Sequence, residues 1–228
     1  MFMPIHDLDN PVRRVAWPIV TYTIITINVV VYLVLNAMSS EEAYATIVSL
    51  SFKPNGLPDL PEGLAAMDLP LLVTAVTSMF VQYEFWHLVG NMMALWVFGD
   101  NVEDALGHFR FLVFYLLCAA AAGYGHALTE PVSIAPLIGA SGAVAGVIGA
   151  YLVLHPKVRV WVLAFGRLPL RLPAAWVLGA WIAFQLAMAF GFGDTQVAWW
   201  AHVAGALAGA LLVVPMRRRG VPLFDRGV

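Results

Sequence analysis

The chain has 228 residues, of which 61% are hydrophobic and 11% charged, and its formal net charge is −2. Soluble domains are about 45–50% apolar and about 25% charged, so this composition excludes an ordinary water-soluble fold and indicates an integral membrane protein. So small a net charge gives no footing for nucleic-acid binding.

A helix needs about 20 apolar residues to cross a bilayer. Hydropathy in chain order predicts six spans, at 17–38, 86–103, 109–128, 136–154, 172–191 and 198–215. The first loop, 39–85, is the longest. It contains Pro54, Pro58, Pro61 and Pro70, and its stretch 62–80 is apolar enough to lie in the membrane interface. The single cysteine, Cys118, excludes an internal disulfide and reads as a packing residue. The N-terminal stretch carries Asp7 and Asp9 and does not have the form of a cleaved signal peptide.

Basic residues orient such a chain. With the N-terminus inside, the cytoplasmic segments hold Arg13, Arg14, Arg110, Lys157, Arg159, Arg167, Arg171, Arg217, Arg218, Arg219 and Arg226, and only Lys53 of the 12 Lys and Arg falls outside. The expected layout is an all-α, six-helix bundle with both termini cytoplasmic. A segment at 1–16 precedes the membrane domain at 17–215, and a basic tail at 216–228 follows it.

Polar groups inside a bilayer are costly and mark function by default. The fourth span carries Ser141 in Gly139-Ala-Ser141-Gly142, and the sixth carries His202 in Ala201-His202-Val-Ala-Gly205. The second begins at His87 and has Asn91 one turn further on, on the same face. In the predicted topology all three spans enter from outside. Ser141 and His202 then lie roughly 6–8 Å below their helix starts, at a rise of about 1.5 Å per residue. Three polar centres would share one depth in the outer half of the bilayer.

A serine hydroxyl is a weak nucleophile until a base takes its proton. Ser141 as nucleophile and His202 as general base form the smallest set that performs acyl transfer. His87, Asn91 and the Ser141 amide are candidate donors to the oxyanion of the tetrahedral intermediate. Gly142-xxx-Gly146 and Gly205-xxx-Gly209 are small-xxx-small patterns that let helix backbones approach. Gly205 and Gly209 follow His202 by three and seven residues, on its face.

These residues resemble the rhomboid family of intramembrane serine proteases. Gly139-Ala-Ser141-Gly142 is similar to the family's GxSG motif, Ala201-His202 with Gly205 and Gly209 to its AHxxGxxxG helix, and His87 with Asn91 to its HxxxN motif. The stretch Phe98–Gly107 resembles the turn after the family's second span. The resemblance implies a Ser–His dyad, no metal and no cofactor. It implies a multi-pass protease of the bacterial cytoplasmic (inner) membrane, cutting a transmembrane protein near the outer face, often beside small residues. An inactive family member that binds transmembrane clients is the alternative. Three departures stand out. Ala145 occupies the place of an aromatic that often stacks on the histidine, so the orientation of His202 must come from another contact. Gln82 replaces a second histidine, and no Trp-Arg pair occurs in the first loop.

Other chemistries fit less well. No HExxH zinc motif is present. Gly191-Phe-Gly193-Asp194 matches the GxGD of intramembrane aspartyl proteases, but no Tyr-Asp pair accompanies it. A transporter predicts charges at mid-bilayer and a repeat between halves, and neither is found. His6, His108, His126 and His155 read as wetted surface residues, Trp86, Trp199 and Trp200 as an outer aromatic belt, and Glu103 with Gly107 as shapers of a turn. Nothing in the sequence sets an oligomeric state.

Overall fold

Each predicted span contains an α-helix in the computed structural model, which describes residues 2–7, 15, 17–53, 67, 69–131, 136–164, 167–192 and 197–224. In chain order the elements are β1 (Phe2–Asp7), α1 (Ile19–Ala37), α2 (Ser40–Leu50), α3 (Leu71–Thr77), α4 (Phe85–Leu106), α5 (His108–Thr129), α6 (Ser141–Leu154), β2 (Arg159–Ala164), β3 (Leu168–Pro173), α7 (Ala174–Ala187) and α8 (Trp199–Met216). A 3₁₀ turn, Ser78–Phe80, follows α3, and a π turn, Met188–Phe192, follows α7. By length and composition α1, α5, α7 with the start of its π turn, and α8 can each cross a membrane. Large apolar side chains face outward, among them Leu33, Phe109, Leu128, Trp176 and Leu211. Such a surface suits lipid and not water. The protein is an integral, multi-helix membrane protein.

The core is built on α6. It is buried along almost its whole length and packs most extensively against α8, with α4 and α5 on its other sides. Small residues make this possible. A Cβ placed on Gly205 would collide with the Gly142 carbonyl, one on Gly209 with the Gly146 carbonyl, and one on Gly149 with the Ala206 carbonyl. The two helices therefore meet backbone to backbone. Cys118 of α5 is fully buried and packs against Gly146, the packing role expected of it.

The fourth predicted span is shorter than expected. Residues 136–140 are not helical, and α6 begins at Ser141. Two contacts hold the approach open. Leu137 and Phe52 exchange backbone hydrogen bonds of 2.9 and 3.1 Å, and Gly139 N–H donates to the Ser78 carbonyl at 2.9 Å. Gly139 has φ +109°, a conformation outside any helix.

The all-α expectation needs correction, because β1, β2 and β3 form an antiparallel sheet in that order. Arg159 pairs with Pro173 and Ala164 with Leu168 across β2 and β3, and β1 pairs along the other edge of β2. Alternation drives it: Val158, Val160 and Val162 are buried. The first loop also has more structure than expected. A capping box closes the start of α2: Ser39 Oγ accepts from Glu42 N–H while the Glu42 carboxylate accepts from Ser39 N–H. The Ser39 hydroxyl holds the Glu42 carboxyl below its ordinary range. Of the stretch 62–80, the apolar part forms α3 and the 3₁₀ turn. Pro54, Pro58, Pro61, Arg13, Arg14, Asp194 and Arg226 lie outside the described residues.

Glu103 and Gly107 shape the end of α4, as the sequence suggests. Gly107, with φ +84°, ends α4 and begins α5. The buried Glu103 carboxylate accepts from Val20 N–H at 3.0 Å, Thr21 N–H at 2.8 Å and Thr21 Oγ–H at 2.7 Å. It thus satisfies the orphan donors at the start of α1 and ties that helix to α4. His108 Nδ1 lies 2.5 Å from the same carboxylate. Residues 217–224 fold back on the bundle: Arg218 N–H donates to Ala105 and Phe224 N–H to Val153. Two histidines differ from expectation. His155 is fully buried edge-on to Tyr151, and His126 is half-buried with its Nδ1 enclosed.

Candidate active site

Ser141 is the first residue of α6, so its amide lacks an intrahelical acceptor. His202 is the fourth residue of α8 and is 8% exposed. The glycine contacts between α6 and α8 bring the two side chains together: His202 Nε2 lies 2.9 Å from Ser141 Oγ. That is hydrogen-bond distance, as a serine nucleophile and its base require.

His202 has a second partner that the sequence reading missed. Its Nδ1 lies 2.7 Å from Gln185 Oε1 on α7. Trp181, one turn earlier on α7, places its ring 6.2 Å from the imidazole, and Trp199 approaches edge-on at the same distance. The aromatic neighbours of His202 thus come from α7 and α8, while Ala145 is buried in α6. The signal for Gln185 was present. It is a polar residue inside an apolar span, the criterion that singled out Ser141.

Ser141 and His202 line a cavity of about 430 Å3 together with His87, Gln82, Gly139, Glu84 and Tyr83. On the side of α5 and α6 its wall consists of small residues, Ala119, Ala122, Gly123, Gly142 and Ala143, while Phe52, Met79, Tyr83, Leu137 and Ile138 are among those that line the rest. A Cβ on Gly139 would lie 3.4 Å from His87 Nε2 and 3.7 Å from Ser141 Oγ. The missing side chain of Gly139 therefore leaves a space with the Ser141 hydroxyl on one side and a ring nitrogen on the other. An oxyanion needs such a space.

Asn91 takes a different position from the one expected. It does not line the cavity beside His87. Its Nδ2 donates to Gln82 Oε1 at 3.0 Å, and Gln82 Nε2 donates to Asn28 Oδ1 of α1 at 3.0 Å. Asn28 in turn donates to the Ile24 carbonyl at 3.0 Å. All three amides are buried. Gln82, a departure from the family motif, faces the cavity, and Asn91 holds it from behind. Replacing Asn91 by Ala removes the donor to Gln82 Oε1 and leaves His87 and the Ser141 amide in place. Turnover is expected to fall about tenfold, less than the roughly 10²–10³ lost with a direct oxyanion donor. A folded Asn91→Ala protein with no measurable turnover would contradict this arrangement.

No group of three or more His, Cys, Asp or Glu side chains among the described residues could hold a metal ion. Gly142, Gly146, Gly205 and Gly209 act in helix packing, while Gly139 shapes the cavity.

The chain matches the Rhomboid domain family over residues 71–219, more than half its length. It is 31% identical over 148 residues to the mitochondrial Rhomboid protein 1 of Saccharomyces cerevisiae, covering 61% of this chain and 40% of that protein. It is 27% identical over 165 residues to the mitochondrial RHOMBOID-like protein 12 of Arabidopsis thaliana, covering 64% and 47%. It is 25% identical over 192 residues to Rhomboid protease GluP of Bacillus subtilis, covering 84% and 34%. The chain thus spans less than half the length of these relatives. The matched region contains the Ser–His pair, the glycine seam between α6 and α8, and the His87 helix, and with it the chain belongs to the rhomboid family.

Proposed function

We propose that the protein is an intramembrane serine endopeptidase that hydrolyses a peptide bond of a transmembrane substrate. The observation that carries this reading is the 2.9 Å contact between His202 Nε2 and Ser141 Oγ in a cavity with room for a carbonyl. Ser141 Oγ attacks the carbonyl carbon while His202 Nε2 takes its proton. The oxyanion sits beside Gly139, between His87 Nε2 and the Ser141 amide. Collapse of the intermediate returns the proton to the leaving amine and leaves an acyl-enzyme on Ser141. Water then repeats the sequence and releases the acid. No metal or cofactor has a role. The small residues on the α5 and α6 side of the cavity suit a small side chain beside the scissile bond.

The six-span topology belongs to the same proposal. The helices at 85–106 and 141–154 would complete the four that, among the described residues, are long and apolar enough by themselves. The basic residues put both termini in the cytoplasm and open the cavity to the outer face. We place it in a bacterial cytoplasmic membrane on the bias of its basic residues; of the three relatives described, one is bacterial and two are mitochondrial.

Labelling by a fluorophosphonate probe in mild detergent tests the reading. The wild-type protein is expected to label at Ser141, and Ser141→Ala and His202→Ala to remain unlabelled. A folded wild-type protein that does not label would make it an inactive binder of membrane clients. Labelling that survives Ser141→Ala would place the nucleophile elsewhere.

A further inference from the structure

Helix α7 is the most lightly buried of the long apolar helices. Of its 14 residues only Ala174, Leu178 and Gln185 are buried. Two of these are ordinary packing residues. A buried amide costs free energy unless it is hydrogen-bonded, so Gln185 is out of place on such a helix unless its partner justifies it. That partner is His202 Nδ1, 2.7 Å from Gln185 Oε1.

We propose that Gln185 is the positioning residue of the dyad, holding His202 in the tautomer and ring orientation that let Nε2 accept the Ser141 proton. This rests on the Ser–His reading above. A neutral imidazole carries one N–H. An amide oxygen can only accept, so Nδ1 must bear the proton and Nε2 keeps its lone pair for Ser141. If the amide were reversed, its NH2 would donate to Nδ1, the proton would move to Nε2, and the base would be blocked. When His202 takes the serine proton, both ring nitrogens become donors. Gln185 Oε1 then faces the N–H of a cation and remains a satisfied acceptor. Gln185 thereby supplies from α7 the constraint that Ala145 does not supply from α6. Because α7 has few other buried contacts, the competence of the base depends on α7 staying seated against α8.

The test uses full-length protein in detergent with 15N-labelled histidine, read by NMR, together with the rate of fluorophosphonate labelling. The wild-type spectrum is expected to show His202 with its proton on Nδ1, assigned by its loss in His202→Ala. Gln185→Met, similar in length and unable to accept a strong hydrogen bond, is expected to label about 100-fold more slowly, the order of a general-base contribution. Its His202 signal should shift toward the Nε2–H tautomer. Gln185→Glu, which restores an acceptor, should label within a few-fold of wild type. A wild-type His202 protonated on Nε2 would overturn the proposal without any variant. A Gln185→Met protein that labels at the wild-type rate would also overturn it, as would a folded Gln185→Glu protein as slow as Gln185→Met. In each case, labelling of wild type at Ser141 would leave the protease reading standing. If wild type itself fails to label, it is the protease reading that fails.

Discussion

Gly139→Ala is expected to lower turnover by about 100- to 1000-fold while leaving the protein folded. Two effects act together. Gly139 has φ +109°, where an L side chain is strained by about 1–3 kcal/mol. Its added methyl would stand 3.4 Å from His87 Nε2 and 3.7 Å from Ser141 Oγ. Neither contact is a clash, so the neighbours need not move and the bundle survives. The loss comes from what the methyl displaces. It fills the space assigned to the oxyanion and separates that charge from its donors, a loss of the size seen when one such donor is removed. Relief of the backbone strain would also pull Gly139 N–H from the Ser78 carbonyl and tilt the entry to α6. Steady-state cleavage of a transmembrane substrate, beside a thermal melt, checks the expectation. A Gly139→Ala protein with near wild-type turnover would place the oxyanion somewhere else.

The same residue shows where sequence reasoning ran out. The pairing of Ser141 with His202 was legible because polar side chains in apolar helices are conspicuous. The phase of Gly205 and Gly209 also showed which face of α8 approaches its neighbour. The start of α6 was not legible. It depends on the backbone of Gly139 and on the bridge between Phe52 and Leu137, which joins segments more than eighty residues apart. The sheet was legible in principle, since Val158, Val160 and Val162 alternate with polar or larger residues. The basic residues around them drew the reading toward a plain loop. Asn91 was expected to share a face with His87, but its partner Gln82 lies outside α4 and precedes it. Helical periodicity alone does not reveal such a contact. Gln185 followed the rule that found Ser141, yet no motif pointed to it.

The second large effect is expected at the seam between α6 and α8. Gly209→Ala should destabilise the protein by about 2–3 kcal/mol and also suppress labelling of Ser141. In an exposed helix the change from Gly to Ala gains about 0.5–1 kcal/mol. Here the new methyl meets the carbonyl and Cα of Gly146, which are backbone atoms and cannot rotate away. The helices must part. Gly209 is seven residues from His202, about 10 Å along the helix at 1.5 Å per residue. Separation at Gly209 therefore tilts α8 and carries His202 away from Ser141. A misplacement of about 1 Å at a catalytic group can cost about 100-fold in rate. Gly179→Ala on α7 is the control, because its methyl would meet nothing within 4 Å; it should leave labelling unchanged and raise stability by at most about 1 kcal/mol. If Gly209→Ala melted and labelled as wild type does, the close backbone approach of α6 and α8 could not be what sets the 2.9 Å contact between His202 and Ser141. If it labelled poorly but melted normally, the seam would align the dyad without contributing to stability. The expected result is that both fall together, since one row of backbone contacts both joins the helices and fixes the distance between nucleophile and base.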